Sequence, residues 1–371
     1  MKLDRFEMER WQSVFEHRVR YNLSESGVDP LSLDELLDLT GIENLGASIL
    51  GYGQSNGSDE LRERIAALYD DVTPDEVVVT TGGAEANLAA CWQLMEPGTP
   101  AAVMVPNYMQ VPGLVRNFGG LVRPFELLEE TGWQPDLDQL RAILDDDVRF
   151  ILITNPNNPT GASLTPESRR GIVEAAERAG AWILCDEVYQ GAELSGIPTP
   201  SMWGEYERTI VTNSLSKAYG TPGLRIGWIV APADITETLW ARTDFTTITP
   251  ATLSDILATA ALAPEARARI LARTRSILRR NLPLVTEWME SQNCIFRYHP
   301  PDAGAICYVR YDAPVNSSVL AEKLRAEKSV LVVPGDHFGM DHYLRLGFGP
   351  PEHELQEALE KMGDAFAEVV A

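Results

Sequence analysis

The chain has 371 residues, 44% hydrophobic and 23% charged; at roughly 100–200 residues per domain this predicts about two domains, each with its own core, and excludes disorder and small disulfide scaffolds. Lys plus Arg number 31 against 54 Asp plus Glu, a formal charge of −23, which argues against nucleic acid and anionic membrane surfaces as partners. The four cysteines (Cys91, Cys185, Cys294, Cys307) form no Cys-x-x-Cys pair, so neither a disulfide framework nor a zinc site is expected, and reduced thiols in a cytosolic protein fit best.

The charged N-terminus has no apolar run of signal-peptide length, and no later stretch reaches about 18 uninterrupted apolar residues, so a soluble cytoplasmic protein is expected. Residues 1–45 read as an arm with an amphipathic helix, joining a small domain. A large domain is predicted over 46–285. There, short apolar runs at 76–80, 101–105, 150–154, 181–185, 209–212 and 226–230 alternate with helical segments. The runs are apolar throughout, as strands buried on both faces of a parallel or mixed sheet are. Between them, 166–179 reads as a helix with Thr165 as N-cap, Pro166 at the first helical position and Gly180 beyond its end. After Ala233 the pattern turns long and helical. Over 286–371, strands near 305–310, 330–333 and 343–346 surround a helix at 317–327, and an amphipathic helix closes the chain at 352–369. The fold class is α/β, a large sandwiched sheet with a smaller α+β domain.

Four segments at predicted strand ends carry chemistry. In Ser214-Leu215-Ser216-Lys217-Ala218-Tyr219-Gly220-Thr221-Pro222-Gly223-Leu224-Arg225, a lone lysine lies between hydroxyls and an arginine, which suits an aldehyde-phosphate cofactor. The amine makes the Schiff base, and Ser214, Ser216 and Arg225 bind the phosphate. A surface loop with one lysine has the same composition. In Cys185-Asp186-Glu187-Val188-Tyr189, Asp186 suits a pyridinium nitrogen and Tyr189 the ring's phenolic oxygen; a helix N-cap followed by a core tyrosine is the alternative. Asn155-Pro156-Asn157-Asn158-Pro159-Thr160-Gly161 is a rigid turn able to fix an asparagine. Thr80-Thr81-Gly82-Gly83-Ala84-Glu85-Ala86-Asn87 runs from strand to helix through two glycines, where free N–H groups favour a phosphate or merely a tight connection. Only five of the 31 basic residues are lysines, and the arginine forks suit carboxylates and phosphates. The five histidines show no metal spacing, although His337 is placed where the small domain approaches the substrate.

Taken together with Gly51-Tyr52-Gly53, Gly57, Leu61-Arg62 and Arg345-Leu346-Gly347-Phe348-Gly349, these segments resemble the aminotransferase class I/II family of fold-type I pyridoxal 5′-phosphate (PLP) enzymes over nearly the whole chain. The resemblance implies Lys217 as Schiff-base lysine and proton carrier, and Asp186 at the pyridine nitrogen. It implies Asn158 and Tyr189 at the phenolic oxygen, with Tyr108 stacked on the ring. Gly83, Ala84, Ser214, Ser216 and Arg225 would surround the phosphate. Arg345, helped by Asn158 and backbone near Gly27, would hold the substrate carboxylate. Because Tyr52 would reach the neighbouring subunit's phosphate, a homodimer is implied. The implied reaction is ping-pong transfer of an amino group from an α-amino acid to a 2-oxo acid. The region Phe245–Thr259 lacks the second arginine of dicarboxylate-specific members, which argues against aspartate. Residues 22–28 look more like members with specialised biosynthetic roles, capreomycidine-synthase-like enzymes among them, that eliminate, replace or cyclise from the same cofactor set.

Overall fold

In the computed structural model, which describes residues 3–292 and 294–370, the apolar runs assemble into one mixed sheet. After the two-residue β1 (Tyr21–Asn22), its strands are β2 (Val77–Thr80), β3 (Pro100–Val105), β4 (Leu121–Leu128), β5 (Gln134–Pro135), β6 (Phe150–Thr154), β7 (Trp182–Asp186), β8 (Thr209–Ser214) and β9 (Gly227–Val230). They lie in the order β2-β9-β8-β7-β6-β3-β4-β5. β4, β3, β6, β7 and β8 run parallel, whereas β9 is antiparallel to both its neighbours and β5 to β4. All residues of β2, β6, β8 and β9 are buried, which is why they read as unbroken apolar runs. β4 interleaves Arg123, Pro124 and Glu126 with its apolar residues and is largely exposed at its start, so no such run announces it.

Helices cover both faces and are ended by local chemistry. The helix Pro166–Ala179 has the predicted caps: Thr165 Oγ1 accepts the Ser168 N–H at 3.1 Å, and Gly180 is left-handed at φ 65°. Three helices, Ala233–Thr243, Thr252–Ala261 and the 28-residue Pro264–Ser291, lead to a second sheet. It contains β10 (Phe296–Tyr298), β11 (Ile306–Tyr311), β13 (Val333–Pro334) and β14 (Tyr343–Gly347) in the antiparallel order β10-β11-β14-β13. The strand expected at 330–333 is two: β12 (Val330–Leu331) pairs in parallel with β1, and β13 pairs with β14. The helix expected at 317–327 is regular over Ser317–Lys323 and widens into a π-turn over Leu324–Lys328. The N-terminal arm holds two helices, Glu7–Phe15 and Leu33–Thr40, the latter with a Ser32/Glu35 capping box. Among the described residues no helix is long and apolar enough to cross a membrane.

The topology sets Thr154, Asp186 and Ser214 side by side at the carboxyl ends of β6, β7 and β8. Opposite them, the helix Gly83–Leu94 starts after Gly82 at φ 81°. A Cβ on Gly82 would lie 2.2 Å from Arg225 Nη2, and one on Gly227 would lie 2.4 Å from the Gly82 carbonyl carbon. Only glycines let this helix start, β9 and Arg225 meet so closely.

Candidate active site

A cavity of about 310 Å³ opens at these strand ends. Gly83, Ala84, Tyr108, Asn158, Asp186, Tyr189, Ser214, Ser216, Lys217, Arg225 and Arg345 all line it. Gly27 lies just behind: a Cβ there would come within 3.6 Å of Lys217 Cδ and 3.5 Å of the Ser216 carbonyl. Tyr52 is not brought in; it is 90% exposed, on a separate groove that shares only Arg225 with the cavity. His337 does not line the cavity either, and packs edge-on against Trp11 at 6.2 Å.

One wall is built for an anion. The first turn of the helix Gly83–Leu94 presents N–H groups that have no partner within the helix, and the helix dipole adds positive potential. Facing it are the Ser214 and Ser216 hydroxyls and the Arg225 guanidinium, which is held by the Pro222 carbonyl at 2.9 Å and touches Ser216 Oγ at 3.4 Å. Arg225 itself is left-handed at φ 52°. These donors fit a phosphate.

The cavity floor carries Asp186. Its Oδ2 accepts Asn87 Nδ2 at 2.9 Å and its Oδ1 the Val188 N–H at 3.1 Å. Asn87 is itself oriented by the Thr212 hydroxyl, which donates to Oδ1 at 2.7 Å. No helix follows β7, so the N-cap alternative falls. Burial pushes the Asp186 carboxyl up, partly offset by Asn87, Val188 and Lys217, so a cationic ring nitrogen is the partner that would hold it ionised. Tyr189 is buried against Gly304, whose added Cβ would lie 2.9 Å from the tyrosine ring. Tyr108 packs edge-on to Phe6 and donates to Glu9 Oε1 at 2.9 Å.

Lys217 Nζ donates to Glu25 Oε1 at 2.5 Å, and Glu25 also accepts the Ser26 and Gly27 N–H groups. Burial would raise the Glu25 carboxyl, but the ammonium and these N–H groups bring it down to about 2. Conversely, burial would lower Lys217, yet the Glu25 charge outweighs it and the amine is raised above its ordinary value. The carboxylate that raises it is brought in by the N-terminal arm.

Arg345, on β14, is 1% exposed. Its Nη1 donates to Asn158 Oδ1 at 2.8 Å and its Nη2 to the Ser24 carbonyl, whereas Nε has no partner. Among the described residues no carboxylate pairs with this guanidinium. A buried cation left without an anion is costly, and the cavity is where a ligand carboxylate would supply one.

Sequence reasoning missed Asn87 and the arm's contribution of Glu9, Gln12, Glu16, Glu25 and Ser26, all of which line the cavity. Two signals were present. Asn87 lies one turn beyond Ala84 on the same helix face. Glu9, Gln12 and Glu16 recur at helical spacing, and Gln12 is buried, its Nε2 donating to the Ser24 carbonyl at 2.8 Å.

A large mixed sheet with a lysine, an aspartate and an anion cradle at its carboxyl edge defines a fold-type I PLP enzyme. The chain belongs to the family described as aminotransferase class I and II, which is matched over residues 32–362, and its cofactor is pyridoxal 5′-phosphate. It is 32% identical over 362 residues to the capreomycidine synthase of Streptomyces vinaceus, covering 96% of this chain and 92% of that one. It is 31% identical over 330 residues to the valine–pyruvate aminotransferase of Mycobacterium tuberculosis, covering 85% and 83%. Among solved structures, a PLP-dependent aminotransferase from Streptococcus suis matches with a TM-score of 0.93 at 34% identity, over 100% of this chain and 99% of that one.

Proposed function

We propose that the protein moves the amino group of an α-amino acid to a 2-oxo acid, in ping-pong order, with Lys217 as the cofactor-linked lysine. The observation that carries this is the pairing within one cavity of a lysine and a buried arginine without a carboxylate partner, Lys217 and Arg345. Gly83, Ala84, Ser214, Ser216 and Arg225 would hold the cofactor phosphate, Asp186 the ring nitrogen, Asn158 and Tyr189 the phenolic oxygen, and Tyr108 the ring face. Bound there, the cofactor supplies an aldehyde that condenses with amines and a protonated ring that accepts the electron pair left at Cα. Arg345 grips the substrate carboxylate with its planar fork, steadied by Asn158, with the backbone near Gly27 alongside. Lys217 Nζ takes the proton from the substrate Cα. The small sheet that carries Arg345 excludes water on that side.

The exposed Ile49, Leu50, Tyr52 and Phe245 support a homodimer in which Tyr52 reaches its partner's phosphate wall. The likeness to a capreomycidine synthase supports a second reading: elimination, replacement or cyclisation beginning with the same Cα deprotonation.

The test mixes cofactor-loaded protein with a panel of amino acids and no oxo acid. One equivalent of oxo acid per site, with loss of the lysine-bound cofactor absorbance, is the transaminase outcome. Many turnovers to a product altered at the β- or γ-carbon favour the second reading. Unchanged turnover by Lys217→Ala overturns both.

A further inference from the structure

The reading above accounts for most of the charges lining the cavity: Lys217 and Asp186 serve the cofactor, Arg225 its phosphate and Arg345 the substrate α-carboxylate. What remains lies on one side, on the N-terminal arm. Glu9, Gln12 and Glu16 project from successive turns at the spacing i, i+3, i+7, which puts them on one helix face, and Glu25 follows from the next segment; all four line the cavity. Among the described residues Glu9 makes no ion pair. Its Oε1 accepts only the neutral Tyr108 hydroxyl at 2.9 Å. The ion pair of Glu16 is with the exposed His17 at 3.5 Å. Glu25 is paired with Lys217.

Two carboxylates, Glu9 and Glu16, therefore face the cavity without a lysine or arginine committed to them, beside Glu25, whose partner is the Lys217 amine. Arg345 is the independent sign that the same cavity takes a ligand, since its buried Nε has no partner. A substrate side chain bearing a carboxylate would meet like charge, and an aliphatic one would strip water from Glu9 and Glu16 without compensation. An ammonium or guanidinium would neutralise them with charge-assisted hydrogen bonds.

We propose that the substrate is an α-amino acid with a cationic side chain, read by Glu9, Glu16 and Glu25. This rests on the amino-acid reading above, and the arm that closes over the cofactor is then also the element that selects the side chain.

The test gives holoenzyme L-lysine, L-ornithine and L-arginine beside the neutral counterparts L-norleucine and L-citrulline, with L-leucine and L-glutamate as further controls. Each is scored by the change in bound-cofactor absorbance and by kcat/KM for its consumption. The cationic members are expected to exceed their neutral counterparts by roughly 100-fold or more. Lysine against arginine separates ammonium from guanidinium. In Glu9→Gln/Glu16→Gln the ratio of cationic to neutral substrate should narrow at least about tenfold, a change that a purely structural role would not cause. Leucine or glutamate outperforming every cationic substrate overturns this inference and leaves the amino-acid reading intact. No spectral response to any amino acid overturns both.

Discussion

Glu187 stands next to Asp186 and offers a quantitative check on the buried electrostatics beneath the site. Its Oε1 accepts the Ser201 hydroxyl and the Met202 N–H, both at 2.8 Å, while Oε2 has no partner. Burial pushes its carboxyl from 4.5 up to about 7, against the pull of those hydrogen bonds and of Arg169. A raised acid binds its proton more tightly in the folded chain, so its stabilisation is complete below pH 4.5 and is lost as pH rises toward 7. At about 1.4 kcal/mol per pH unit, the loss by pH 8 is roughly 3 kcal/mol. Glu187→Gln keeps an acceptor for Ser201 and Met202 and removes the titration; one amide N–H left without a good acceptor costs about 1 kcal/mol. We therefore expect the variant to be more stable than wild type by about 2 kcal/mol at pH 8, with the advantage gone at pH 4.5. Urea denaturation of the cofactor-loaded protein at the two pH values measures this. An equal difference between variant and wild type at both would refute a raised Glu187.

Glu25→Gln removes the charge that raises Lys217. Because capture of the cofactor aldehyde needs an unprotonated amine, capture by the cofactor-free chain should rise with pH to a plateau reached at lower pH in the variant. Stopped-flow absorbance across pH checks it, and an unshifted profile contradicts the assigned pairing. Arg345→Lys substitutes a point charge for a fork and should cut kcat/KM by about 100-fold, chiefly through KM, with the cofactor spectrum unchanged. Asp186→Asn should keep the cofactor bound through the phosphate wall yet lower kcat by roughly 10²–10³-fold, since the ring nitrogen loses its counter-ion. A cofactor spectrum that responds to pH as in wild type would count against that role.

What the sequence discloses and what it hides divide along the range of the interactions involved. β6, β7 and β8 are buried on both faces, so their apolar runs announce them, and the turns that follow carry Asn158, Asp186 and Lys217 as local motifs. The arm's share is different in kind. Glu25 meets Lys217 from 192 residues away, and Asn158 meets Arg345 from 187; no local pattern encodes either distance. The arm is held there by two backbone ladders, β1 on β12 and the Leu23 carbonyl accepting the Gly347 N–H at 2.7 Å, and by the absence of a side chain at Gly347, where a Cβ would strike the Glu25 carbonyl oxygen at 2.1 Å. β1 is two residues long, too short for any periodicity to reveal. The family resemblance therefore picked out residues that line the cavity, Tyr52 and Gly27 excepted, whereas the arm residues that also line it carry no local motif and are brought there by the fold. The three glutamates of that arm make side-chain charge, more than the shared cofactor chemistry, the property by which this enzyme's substrate is to be sought.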